Sequence, residues 1–201
     1  MRHNPWQRRT VTSLGAVAAM FGVIIATAAP AGAVLSTTVD NGGFESPAIA
    51  PEVFHTYSAG ESIGAWQVVD GSVDIIHDRL WRAAEGEQAL NLNGNEPGTV
   101  QQTVSTLPLT KYIVTFSLAG SPQQQGETTG QVLANGKVIK NFSFDTTGKT
   151  EDDMGYVTVR ASFTATGLST DLAFRGTTPP NANGAVIDDV RIQACLLILC
   201  R

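Results

Sequence analysis

Cysteine is nearly absent from this chain: Cys195 and Cys200 are its two, five positions apart near the C-terminal end. A disulfide framework is thereby excluded as the main source of stability. The spacing is also not the Cys-x-x-Cys of zinc and redox motifs. Histidine is scarce at three residues, and only His55 and His77 lie beyond the N-terminal segment. That leaves little from which to build a catalytic zinc site or a serine–histidine machine. No Gly-x-Ser-x-Gly, His-Glu-x-x-His or phosphate-loop motif occurs. Asp74, Asp78, Glu85 and Glu87 supply carboxylates, but none sits in a pattern diagnostic of a glycosidase pair. An enzyme is not expected. Basic charge is short as well, with 13 Lys and Arg against 18 Asp and Glu. An acidic chain without a basic run is a poor nucleic-acid binder and lacks the polybasic segment that anionic membranes attract.

One long apolar run is present. Val11 to Ala28 follows Arg2, Arg8 and Arg9 and precedes Ala31-Gly32-Ala33, so residues 1–33 read as a cleaved secretory signal. The run is long enough to raise a membrane anchor, but no basic stop-transfer cluster follows it. Arg8-Arg9 raises a twin-arginine route, which Thr10-Val11-Thr12 fits poorly. Three of the 13 basic residues and none of the acidic ones lie in this leader, so its removal takes the net charge from −5 to −8. The expected product is secreted and extracellular. There Cys195 and Cys200 are expected to pair, with Leu196 to Leu199 turning back to bring the Cα atoms within about 7 Å. Residues 193–201 read as a tail, and its apolar stretch is too short to span a membrane.

No sustained helical period follows the leader. Short strand-like runs do: 63–69, 73–76, 88–92, 99–104, 112–119, 131–134, 138–144, 156–163, 172–175 and 185–192. Asn135-Gly136 sits between two of them and predicts a tight type I′ hairpin. Polar, glycine-containing stretches at 121–130 and 177–184 read as loops. The expected fold is a single antiparallel β-sandwich over residues 34–192. No repeat and no second domain is visible.

Acidic motifs mark both ends of that region: Asn41-Gly42-Gly43-Phe44-Glu45 and Ile187-Asp188-Asp189-Val190. Calcium takes six to eight oxygens from carboxylates, carbonyls and water. Gly42-Gly43 could turn carbonyls toward such an ion, and Glu45 adds a carboxylate. Strict alternation places Asp188 on the face of Val186, Val190 and Ile192, pointing inward, and Asp189 on the other. A second reading stands beside the metal: a glycine turn, a solvated Glu45 and an Asp188 that caps backbone amides.

The ordered series of motifs carries a resemblance. Asn-Gly-Gly-Phe-Glu-x-Pro is followed by Ile63-Gly64-Ala65-Trp66, Gly71-Ser72-Val73-Asp74 and Trp81. Then come Gly86 to Gly94, Pro97 to Thr103, Tyr112 to Phe116 and Ile187 to Val190. Over about residues 35–192 the chain resembles the choice-of-anchor C family of bacterial surface and secreted proteins. It is also similar to the related plant cell-wall proteins grouped as a domain of unknown function. The resemblance implies a galactose-binding-like jelly roll, an architecture shared with calcium-containing carbohydrate-binding modules. It implies a structural calcium held by Glu45 and Asp188, with backbone carbonyls near Asn41 and Gly43. Two departures stand out. Asn91 occupies a position where family members often carry Asp. The C-terminal anchor that names the family is replaced by Cys195 to Arg201.

Aromatic residues are few, at 7% of the chain. Sugars stack their C–H faces on aromatic planes while amides and carboxylates fix the hydroxyls. Trp66, in an Ile-Gly-x-Trp-x-Val run, is expected in the core. Trp81 follows the polar stretch Asp78-Arg79-Leu80 and is the better candidate for exposure. Trp81, Asp74, His77, Arg79 and Asn91 therefore form the expected glycan patch; a loop-ordering hydrogen-bond network is the alternative role. The function expected is non-catalytic binding of an extracellular or cell-wall polysaccharide. A surface or matrix protein that binds other proteins is the alternative, and a hydrolase is the weakest reading. Asn141-Phe142-Ser143 is a glycosylation sequon, meaningful only in a eukaryotic secretory pathway.

Overall fold

A computed structural model describes residues 37–51, 53–180 and 184–195. The leader, Cys200 and the expected turn at 196–199 lie outside the described residues. The strands are β1 (Phe54–Ser58), β2 (Ser62–Ile63), β3 (Trp66–Asp70), β4 (Ser72–His77), β5 (Gln88–Asn91) and β6 (Thr99–Ser105). They continue with β7 (Lys111–Gly120), β8 (Glu127–Ala134), β9 (Lys137–Asp145), β10 (Val157–Thr164), β11 (Ser169–Gly176) and β12 (Ala185–Cys195). Two six-stranded sheets result, ordered β1-β4-β5-β12-β7-β10 and β2-β3-β6-β11-β8-β9, with every pairing antiparallel. The fold is the all-β jelly-roll sandwich expected from the density of short strands.

The pleat sorts residues between core and outer face. Along β7, Tyr112, Val114, Phe116 and Leu118 are buried, while Ile113, Thr115 and Ser117 between them are only partly so. The inward row continues across the first sheet as Ile75, Leu90, Ile187, Leu118. Aromatic rings link the two sheets: Phe44 to Trp66 at 5.7 Å, Trp66 to Phe174 at 5.9 Å, Phe174 to Phe116 at 5.1 Å, Phe116 to Phe142 at 5.4 Å. Trp66 is fully buried, and its indole N–H donates to the Asn41 carbonyl at 3.1 Å.

Several boundaries differ from the sequence reading. β1 was not expected; its Phe54–Thr56 versus His55–Tyr57 alternation is only five residues long and follows Pro51. The run 63–69 divides into β2 and β3 because Gly64 takes a positive φ of 58°. β12 reaches Cys195, so the tail begins later than residue 193. The hairpin is as expected: Asn135 and Gly136 both have positive φ, 49° and 74°, between β8 and β9. The two acidic motifs do meet. Val190 N–H donates to the Gly42 carbonyl at 2.9 Å, and a Cβ at Gly42 would collide with the Val190 carbonyl oxygen.

Candidate functional site

Antiparallel register sets the floor of a cleft on the outer face of the first sheet. Thr56, Asp74, Asn91, Val186 and Ala119 lie side by side across five strands, and Phe54, Ile76 and Ala89 form the next row. Leu80, Trp81, Val53 and Gln123 add walls, and the cleft encloses about 450 Å³. Asp74 is 9% exposed, and its Oδ1 accepts the Thr56 hydroxyl at 2.6 Å. Burial raises the Asp74 pKa; hydrogen bonds from Thr56 and Asn91, and the nearness of His55, pull the other way. Asn91 is locked by Asn93: its amide donates to the Asn93 carbonyl at 2.6 Å and its carbonyl accepts the Asn93 N–H at 3.2 Å.

Of the five residues expected in a glycan patch, three meet here: Asp74, Asn91 and Trp81. Trp81 differs from expectation, being only 4% exposed, because the loop that carries it lies over the outer face. Its indole N–H is buried and has no hydrogen-bond partner among the described residues. The freely presented ring is Phe54, 58% exposed, which the sequence reading missed together with β1. His77 is not in the cleft. It sits an odd number of residues from Asp74 on β4, so it faces the other way, opposite Gln88. Its Nδ1 accepts the Arg79 N–H at 3.2 Å and lies 3.1 Å from Asp78. Arg79 is exposed and does not line the cleft. Strand parity, available in the sequence, separates His77 from Asp74.

The acidic motifs at the chain ends converge on the Trp81 loop. Asp188 Oδ2 accepts the N–H groups of Ala84 at 2.8 Å and Glu85 at 2.9 Å. Glu45 Oε1 accepts those of Glu87 at 2.9 Å and Gln88 at 3.0 Å. Two carboxylates from opposite ends of the fold thus hold four amides of one short segment. Asp188 is completely buried, but not by the route expected. A β-bulge between Asp188 and Arg191, with Asp189 at a φ of 49°, breaks the alternation. Asp188 pairs with Ser117 on the outer face, whereas Ile192 pairs with Val114 toward the core. Burial pushes the Asp188 carboxyl up to about 7, with the Glu85 charge adding to it; three backbone N–H bonds oppose the shift. Burial also raises the Tyr156 hydroxyl pKa, and the Asp188 charge adds to that.

The oxygens expected to hold calcium are differently employed. The Asn41 side chain accepts the Ser46 N–H at 3.0 Å and donates to the Ser46 carbonyl, and its backbone carbonyl serves Phe44 and Trp66. The Glu85 carboxylate lies against the Cα of Gly43. Among the described residues no group of three or more His, Cys, Asp and Glu side chains is gathered to hold a metal ion. Both Asp188 oxygens accept backbone N–H groups, Oδ1 that of Asp189 at 2.6 Å, whereas Glu45 is engaged through Oε1. An ion would have to share the Asp188 oxygens and be completed by Glu45 Oε2, carbonyls or water, and Asn41 does not fit it.

Fold and cleft together define a jelly-roll module with a solvent-open, largely apolar groove on the outer face of its first sheet. The sandwich is similar to a family 35 carbohydrate binding module from Clostridium thermocellum, with a TM-score of 0.50 at 12% identity, over 71% of this chain and 99% of that one. TmCBM61 in complex with β-1,4-galactotriose superposes with a TM-score of 0.47 at 19% identity, over 79% and 99%. In sequence, 160 residues are 29% identical to halomucin of Haloquadratum walsbyi; they make up 77% of this chain and 2% of halomucin. Residues 37–193 match the family model for proteins of unknown function DUF642, and the chain belongs to that family.

Proposed function

We propose that the protein is a secreted, non-catalytic carbohydrate-binding module whose ligand occupies the cleft over Asp74 and Asn91. The observation that carries this is the composition of that cleft: apolar walls of Phe54, Ile76, Leu80 and Trp81 around a buried carboxylate and two amides. Ligand sites combine apolar lining with a few placed polar groups in this way. The Phe54 ring offers a plane for a sugar's C–H face, and Asp74 accepts hydroxyl hydrogens. The Trp81 N–H, buried and without a partner among the described residues, is a donor that lacks its acceptor. The fold shared with a carbohydrate binding module supports the same reading.

Calorimetric titration with cell-wall polysaccharides and their oligosaccharides tests it. Binding is expected, and Phe54→Ala should weaken it about tenfold while leaving the melting temperature within about 2 °C, because the ring is exposed. Trp81→Ala should weaken it further and also soften the loop. Absence of binding to any glycan, with a protein partner recovered instead, would establish the matrix-protein alternative. Export through the leader, the Cys195–Cys200 bridge and the choice-of-anchor C likeness belong to this proposal. So does a structural calcium on Glu45 and Asp188. The charge of Asp188 beside Glu85, with no cation bonded to either among the described residues, supports that ion.

A further inference from the structure

We infer that the cleft selects neutral sugar units and rejects those bearing a carboxylate. The inference rests on the carbohydrate reading above and adds the class of sugar. Among the described residues that line the cleft, Asp74 is the one charged side chain, and no Lys, Arg or His joins it. Its neighbours along the floor, Thr56, Asn91 and Val186, are uncharged. The cations nearest in sequence do not line the cleft, although His55 is near enough for its charge to act on Asp74. His55 precedes Thr56 on β1 and so faces away, with its ring 4.6 Å from that of Tyr57. Arg82 reaches Asp78 at 3.5 Å from the exposed side of the loop. A uronate seated over the floor would meet a buried carboxylate with no guanidinium or ammonium to answer it. Like charges at contact distance under partly buried conditions are strongly unfavourable.

A neutral sugar meets complementary groups instead. Thr56, at Oδ1, and Asn91 both hydrogen-bond the Asp74 carboxylate, and a ligand hydroxyl would use the acceptor capacity that remains. The Asn91 amide is fixed by Asn93, so it holds its orientation as part of the floor. The exposed Gln123 lines the cleft, and its amide can serve either as donor or acceptor. Nothing in this set requires a charge on the ligand. The acidic surplus of the whole chain, 18 Asp and Glu against 13 Lys and Arg, works in the same direction at longer range.

The test is a titration of the full protein at about pH 7.5 with matched neutral oligosaccharides and oligouronates of the same length. Neutral ligands should bind at least about a hundredfold tighter than uronates. Asp74→Asn should shrink that ratio at least about tenfold, whatever it does to absolute affinity. Asn91→Asp should enlarge it, and carries the test if Asp74→Asn fails to fold in a thermal melt. Uronates that bind as tightly as neutral sugars, or a ratio unmoved by either folded variant, would overturn the inference and leave the carbohydrate reading standing. No binding of either class would remove both.

Discussion

Asp188 shows what one side chain can be made to do by its surroundings. Its carboxyl is lifted from 3.8 to about 7, chiefly by burial. In the metal-free protein the folded state therefore holds this proton more tightly than the unfolded chain does. The stabilisation is complete below about pH 4 and is lost as pH rises through about 7. That rise corresponds to about 4 kcal/mol, an upper bound for a buried group. With chelator present, Asp188→Asn should gain stability relative to the parent between pH 5 and 8, read as the difference in denaturant midpoints. A constant difference across that range would contradict the assignment. The same residue marks where sequence patterns stop. Parity along β4 places Asp74 and His77 on opposite faces, because that strand is regular. Parity along β12 fails at Asp189, where an ordinary-looking residue takes a positive φ and slips the register.

Among the elements, strands with long apolar alternation were legible, and so was the Asn135-Gly136 turn. Gly136 has open space around its Cα but a φ of 74°, so substitution there costs backbone strain alone. Gly136→Ala should lower stability by about 1 kcal/mol in equilibrium unfolding and leave ligand affinity unchanged. The site was only half legible for a reason belonging to elements as well. Asp74 and Asn91 stand on neighbouring strands, and their types already suggest a polar floor. Phe54 lies on an edge strand too short to announce itself, and Trp81 on a loop whose path depends on carboxylates about 40 residues before it and 100 after. Local pattern carries no information about such contacts.

For the whole molecule, the linked aromatic rings and two six-stranded sheets make up the core. A calcium at Glu45 and Asp188 would instead act on the overlying loop. We expect EDTA to lower the melting temperature, added calcium to restore it, and Glu45→Ala to abolish both responses. Saturation at a hundredfold excess over Kd corresponds to about 2.7 kcal/mol. A melt indifferent to EDTA and to calcium would eliminate the ion and leave the hydrogen-bonded clasp as the whole account.

That clasp has a consequence for synthesis. The loop bearing Trp81 is fastened by Glu45 and by Asp188, which are separated by most of the folded sequence. During translation the floor strands β4 and β5 emerge early, but the second fastening arrives only with β12. A partly made chain therefore cannot present a finished groove. A fragment ending before residue 188 should accordingly be silent toward the ligand proposed for the full protein.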